Sequence, residues 1–442
     1  MMRLAVLAGG AVLFTACAPP AGERRLTARI HPSGFAQSHD TYNGMGTASD
    51  GRIYYVLCSE LPDVGARMYS FDPSSGRVEM LGDLTEASGE RDARAVSQGK
   101  SHVNFVEAEG KLWFATHIGY YSIIDDMEKP GIPPPGMQPY RGGHILAWDM
   151  RARRFEDHGA APAGEGIITM NMDARRMRVY GITWPGGMVF RYDVPRKEWK
   201  QLGRFFEQGE NGKGATYRTI CRSLAVDPED GSVYFSTGEG RIHRYRYDRD
   251  AVEDVAGDNL KKDYFGLYDI TSSGHMAYNW RQVFYHPRTR EIYGVHGNSG
   301  YLFRFDPRAD RVEVLRRITS EPSQRSGMFD QFSYGYLGFT LGPDGETIYY
   351  LTGGPIYREG KRVTGKDSTG KGEAKGDEDV RLVTWHIPTG RYTDHGPIHY
   401  EGGGHPSYVN SIAVGRDGTV YTLARVPQAA GRVHTELISV KP

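Results

Sequence analysis

An all-β ring of repeated four-stranded blades is the fold that this 442-residue sequence predicts, and three observations predict it. Glycine supplies 57 residues, about twice the usual share, and Tyr supplies 28, as in chains built from many tight turns and short strands. A turn followed by a branched or long apolar residue and then an aromatic recurs along the chain. Around each copy the apolar and polar residues alternate in period two, the mark of half-buried strands.

The recurring phrase reads Asp50-Gly51-Arg52-Ile53-Tyr54, then Glu109-Gly110-Lys111-Leu112-Trp113 and Met177-Arg178-Val179-Tyr180. It continues with Asp230-Gly231-Ser232-Val233-Tyr234, Arg290-Glu291-Ile292-Tyr293, Asp344-Gly345-Glu346-Thr347-Ile348-Tyr349 and Asp417-Gly418-Thr419-Val420-Tyr421. An apolar strand precedes each turn, as in Ser223–Val226 or Ser411–Val414. A third strand follows and often closes on Asp, as in Arg67–Asp72, Val189–Asp193 and Tyr301–Asp306. A short turn then leads to a fourth, such as Arg77–Gly82 or Glu198–Gly203. Seven copies of four antiparallel strands predict a seven-bladed β-propeller over residues 26–442, one domain despite the length. The last copy stops at its third strand, Thr435–Val440. Leu26–His31 is read as the missing fourth strand, a clasp that leaves no sheet edge free.

Residues 1–17 read as a lipoprotein signal peptide. Arg3 is the only charge before an apolar run, Leu4–Phe14, too short to span a bilayer. Phe14-Thr15-Ala16-Cys17 resembles a bacterial lipobox, so Cys17 is the expected lipidation site and the cell envelope the expected location, in the periplasm or at the cell surface. Only Cys58 and Cys221 remain, read as core thiols rather than a disulfide. Lys plus Arg (54) balance Asp plus Glu (54), which argues against nucleic acid as a partner.

In such a fold the turns between first and second, and third and fourth, strands share one face, and here nearly all are short. The insertions sit on the other face: Leu84–Lys100, His117–Gly143, Phe206–Thr219, Gly257–Asn279 and Ser320–Tyr334. Their one-sidedness locates the expected site. Glu359–Asp379, rich in Lys, Gly and acidic residues and without an aromatic, is read as solvated, with no chemistry.

Polar residues converge on the long-loop face. Inner-strand starts supply His39, Lys100, His102, Asn104, Arg218, Arg222, Arg281, Tyr334, Tyr336 and His405. Second-strand ends supply His117, Tyr120, Tyr121, Trp184, His296 and Asn298. Glycoside hydrolysis usually needs paired carboxylates, and Asp40, Glu165 and Glu239 form no evident pair. An anionic sugar fits better: Arg grips a carboxylate, and aromatic faces stack on sugar rings. β-Elimination beside a uronate carboxylate needs a group that neutralises the carboxylate, a base for the adjacent C–H and an acid for the leaving oxygen. Arg, His and Tyr suit those roles. An antiparallel hairpin should also bring His102 and His117 to one point.

The runs Gly99–Phe105 and Gly110–Tyr121 resemble the second-blade region of seven-bladed propeller polysaccharide lyases, the ulvan lyases and the lyases acting at rhamnosyl-glucuronate linkages. The resemblance implies a site of paired His residues, a Tyr and an Arg. His102 and His117 match the pair, Arg222 the Arg, and Tyr217 and Tyr334 are the leading matches for the Tyr, with Tyr336 competing. The remaining rim residues, His39, Asn104, Tyr120, Tyr121, Trp184, Arg218, Arg281, His296, Asn298, Tyr336 and His405, are then substrate-binding candidates. The implied partner is a uronate-containing glycan, and no cofactor is required, although five rim His residues could hold a divalent metal. Related propellers include rhamnosidases with a His-centred site, so a hydrolase on such glycans, or a non-catalytic glycan-binding lipoprotein, stays open.

Overall fold

The computed structural model describes residues 24–39, 43–124, 127–325, 338–355, 357–358, 361–362, 378–406, 409, 411–427 and 433–442. Among these the strands form five four-stranded sheets, one eight-stranded sheet and two small two-stranded ones. The first sheet joins Met45–Thr47, Ile53–Leu57, Arg67–Asp72 and Arg77–Asp83 in chain order. The second joins Val106–Ala108, Lys111–Ala115, His144–Asp149 and Arg154–Ala160. The third runs Gly166–Asp173, Arg178–Trp184, Met188–Asp193 and Glu198–Arg204. The fourth runs Ala225–Val226, Val233–Ser236, Ile242–Arg246 and Ala251–Asp254. The fifth runs Trp280–His286, Glu291–His296, Tyr301–Asp306 and Arg311–Arg317.

The eight-stranded sheet is two such units fused at their outer edges. One unit is Phe339–Leu341, Thr347–Pro355, Glu378–His386 and Arg391–Tyr400. The other is Ala413–Val414, Val420–Pro427 and Val433–Val440, with Leu26–His31 beside it. That N-terminal strand pairs antiparallel with the C-terminal one, Ala28 opposite Val440 and His31 opposite Leu437. It also lies parallel to Arg391–Tyr400, Leu26 opposite Ile398. Fixing the two chain ends in one sheet removes the frayed edge that either would leave alone.

Neighbouring units touch through their inner strands. Phe105 N donates to Met45 O (3.4 Å) and Ile167 N to Thr116 O (3.3 Å). Asn171 Nδ2 donates to Leu224 O (2.7 Å), Val283 N to Ser223 Oγ (3.2 Å), and Thr47 Oγ1 to Val414 O (2.9 Å). A cavity of about 720 Å³ is lined by inner-strand residues of all these units, among them Met45, Phe105, Asn171, Val226, Phe284, Leu341 and Ala413. The apolar core lies between sheets, for example Trp113, Phe114 and Trp148 against Phe190 and Tyr192. Cys58 and Cys221 are buried and not joined in a disulfide.

Of the Glu359–Asp379 insertion, Lys361–Arg362 pairs with Tyr357–Arg358, and Glu378 and Asp379 begin a strand; its other residues lie outside those described. Cys17 and the rest of residues 1–23 also lie outside them.

Candidate functional site

The second sheet builds the site at the end of its inner hairpin. The pairing of Val106–Ala108 with Lys111–Ala115 puts Val106 opposite Trp113. Continued in register, it would set His102 opposite His117. Instead the ladder breaks after Val106 and resumes two residues out of step, with Lys100 opposite His117. Lys100 N donates to His117 O (2.9 Å) and His117 N to Lys100 O (2.7 Å). The intervening segment leaves the ladder, and its Phe105 bonds to Met45 of the first sheet. His102 therefore reaches His117 from a bulge, not from the facing strand position. The rings meet edge to face, centroids 4.6 Å apart at 75°.

Three glycines sit in close quarters around this junction. A Cβ on Gly119 would lie 2.1 Å from Ser59 O, and one on Gly99 2.7 Å from the same oxygen. A Cβ on Gly166 would lie 2.0 Å from His117 Nδ1, so the third sheet's first residue leaves the imidazole its place. That Nδ1 is buried with no hydrogen-bond partner among the described residues.

Aromatics close over the pair. Trp184 meets His117 edge to face at 5.4 Å, and Tyr121 meets Trp184 at 5.5 Å. Tyr121 opens a two-stranded hairpin, Tyr121–Ile124 with Met127–Pro130. Its hydroxyl donates to Ile118 O (2.7 Å), and its ring covers Lys100 Nζ at 4.5 Å. Lys100, 1% exposed in its side chain, lies 3.6 Å from Glu60 Oε1, which His39 Nδ1 also approaches at 3.2 Å. Tyr120 packs against Gly131, which has no room for a Cβ.

Arg222 stands just before the fourth sheet. Its Nη2 donates to Glu210 Oε1 (2.6 Å) and its Nη1 to Ile220 O (2.7 Å). Arg222, His102, Asn43, Asn104, Asn171 and Gln282 line one cavity of about 50 Å³, room for a water or two. Asn104 and Asn171 also line the large axial cavity, so the two spaces adjoin.

The electrostatics follow from this packing. Burial pushes both imidazoles well below the usual histidine range. For His102, His117, Lys100, Arg222 and Arg281 add to the effect; for His117, Lys100 and Arg222 add to it and Glu210 opposes it. Both rings are therefore neutral near pH 7. Burial alone would lower Lys100, but Tyr121 and Glu60 outweigh it and hold the ammonium charged. Burial would raise Glu60, but His39 and Lys100 bring it down to about 2.

The other expected residues are placed variously. Tyr217 is 1% exposed, and its hydroxyl lies 3.3 Å from Thr219 Oγ1. Arg218 pairs with Glu239 and donates to Tyr217 O (2.6 Å). Arg281 is buried, with Nη1 3.7 Å from Met276 Sδ. His296 is fully buried, stacked on Phe265 at 4.2 Å, and burial takes it down to about 3. Asn298 Oδ1 accepts from Met276 N (3.0 Å). His405 Nδ1 lies 3.7 Å from Asp379. Tyr334 and Tyr336 lie outside the described residues. Among the described residues no group of three or more His, Cys, Asp or Glu is placed to hold a metal.

Sequence reasoning missed Glu60 and Glu210, carboxylates that bond to residues of the site. Glu210 lies inside the Phe206–Thr219 insertion, and that insertion was the one available signal.

No family model and no curated protein matches the chain. Solved structures do. A chain of the mitotic checkpoint complex matches with a TM-score of 0.50 at 12% identity, over 98% of this chain and 99% of that one. The extracellular domain of a candidate one-component system from B. thetaiotaomicron matches with a TM-score of 0.50 at 12% identity, over 95% of this chain. The match spans 40% of that chain. At such identities the likeness is one of fold alone.

Proposed function

We propose that this chain is an exported seven-bladed β-propeller that cleaves uronate-containing glycans by β-elimination at His102, His117 and Arg222. The ring reading is supported by the contacts from sheet to sheet, by Thr47 on Val414, and by the cavity lined from every unit. The eight-stranded sheet then counts as blades six and seven, fused at the N-terminal clasp. Cys17 carries the lipid anchor in this reading.

The observation that supports the chemistry is the pair of neutral imidazoles, 4.6 Å apart, with a fixed guanidinium that shares a small cavity with one of them, His102. Arg222 and one imidazole hold the uronate carboxylate, which acidifies the C–H beside it. The other imidazole, or a tyrosine, takes that proton. The C–H electron pair becomes a C=C bond, the C–O bond to the neighbouring sugar breaks, and a tyrosine protonates the leaving oxygen. No water is consumed.

The test is absorbance of the unsaturated product near the ultraviolet edge during incubation with uronate polysaccharides, rhamnose-linked glucuronans included. His102→Ala and His117→Ala should each cut the rate by about 10²–10⁴ with the fold intact. Reducing sugar without unsaturation would favour a rhamnosidase-type hydrolase. Glycan binding without turnover would leave a lectin-like lipoprotein.

A further inference from the structure

We infer that Glu210 is the positioning residue of this site, the buried carboxylate that fixes Arg222 and Trp184 beside the histidine pair; this rests on the reading of that site as the reacting centre. Glu210 is 1% exposed, an expensive place for a carboxylate unless its oxygens are bonded. Both are. Oε1 accepts from Arg222 Nη2 (2.6 Å) and Ile220 N (3.2 Å), and Oε2 accepts from Trp184 Nε1 (2.9 Å).

The backbone of Glu210 is bonded as well. Its N–H donates to Pro185 O (2.9 Å), and its carbonyl accepts from Lys129 Nζ (2.6 Å). One residue thus ties together the end of the third sheet's second strand, the approach to the fourth sheet and the hairpin that carries Tyr121. Three of these links lead back to the histidines: Trp184 packs on His117, the hairpin of Lys129 carries Tyr121, which packs on Trp184, and Arg222 shares a cavity with His102.

The geometry sets what Glu210 does and does not do. Its oxygens are engaged by protein donors, so it acts through Arg222 and is not the base. Glu210 and the Ile220 carbonyl hold two nitrogens of the guanidinium, which fixes its orientation while Arg222 lines the cavity. A charge-assisted pair of this length is stronger and more directional than a neutral bond. Loss of the charge, or withdrawal of the carboxylate by one methylene, should let the guanidinium rotate, and misplacement by about 1 Å can cost about 10²-fold in rate.

The experiment compares the full-length protein with its Glu210→Gln and Glu210→Asp variants. Nitrogen-15 spectra of arginine side chains report guanidinium rotation without any need for turnover, and Arg222→Lys assigns the signal. The wild type should show a slowly rotating Arg222, and both variants should lose that protection. Unsaturated-product assays should show kcat/KM down about 10–100-fold in Glu210→Gln, with Glu210→Asp between it and the wild type. A protected Arg222 signal in a folded variant would overturn the inference, as would unchanged kcat/KM in an active enzyme. If the wild type cleaves no uronate glycan, the functional reading fails and the Arg222 signal alone decides the role of Glu210. If Glu210→Gln does not fold, Glu210→Asp supplies both readouts.

Discussion

Two histidine sites in the second sheet show how opposite environments make the same side chain serve opposite ends. His117 follows the sheet's second strand and His144 opens its third, and the Thr116 and His144 backbones are hydrogen-bonded. Burial holds His117 neutral, and the neighbouring cations Lys100 and Arg222 add to the effect. His144 lies between two carboxylates, Nε2 3.1 Å from Glu90 and Nδ1 3.0 Å from Asp157. Burial lowers His144, but Asp157 and Glu90 outweigh it and raise it to about 9. Glu90 is tied through Gln98 to Thr116 and Tyr140 in one buried network. Among the described residues, His117 keeps a buried Nδ1 without a hydrogen-bond partner, and His144 has both nitrogens bonded. The bonded one braces the sheet, and the other is the one that the proposed chemistry uses.

Gly166→Ala should break the comparison most sharply. A methyl 2.0 Å from His117 Nδ1 must displace the imidazole or the strand. We expect turnover to fall by about 10²-fold and stability by about 1–3 kcal/mol. His144 should keep its titration, because its own contacts lie elsewhere. Histidine proton spectra alongside kinetics check this; unchanged kcat/KM would show that the position of His117 is not critical.

The next effect is the pH dependence of stability. His144 has a folded pKa above its unfolded value, so its contribution is full below about 6.5 and is lost as pH rises through about 9. His102 and His117 have folded values below their unfolded ones, so they destabilise the fold as pH falls below about 6.5. Urea midpoints between pH 4 and pH 10 should fall on both sides. His144→Gln should flatten the alkaline limb by about 2–3 kcal/mol and leave the acid limb and the kcat near wild type. An alkaline limb that survives His144→Gln would assign the loss to another group.

The strand pattern behind these sites was largely legible in the sequence, and their junctions were not. Arg67–Asp72, Tyr301–Asp306 and Leu26–His31 are strands with the boundaries read from alternation and turns. These signals are local, and seven copies reinforce one another. The slip that pairs Lys100 with His117 accompanies the bond of Phe105 to the first sheet, a contact between units that carries no period. Glu210 and Glu60 reach the site across tens of residues of chain, and only the fold brings them there. Trp184 is 2% exposed, with its indole N–H bonded to Glu210. Its position at a strand end was readable, but not that bond.

Asp157→Asn should give the smallest effect and sharpen the contrast furthest. Asp157 is 33% exposed in its side chain while its counterpart Glu90 is 7%, so water already screens one of the two carboxylates on His144. The variant removes a charge but keeps a side-chain oxygen for the imidazole, and the buried Glu90 pair persists. We expect a loss of about 0.5–1 kcal/mol near pH 7, in line with a half-exposed pair. The alkaline limb should begin at lower pH, since one of the two anions that hold the proton on His144 is gone. Glu90→Gln should cost about 3–5 kcal/mol, because it leaves a buried imidazolium with only the screened partner. Urea midpoints of the two variants at pH 7 and pH 9 decide the order. Equal losses would mean that burial does not separate the two carboxylates, and that the bracing of His144 is shared evenly between them.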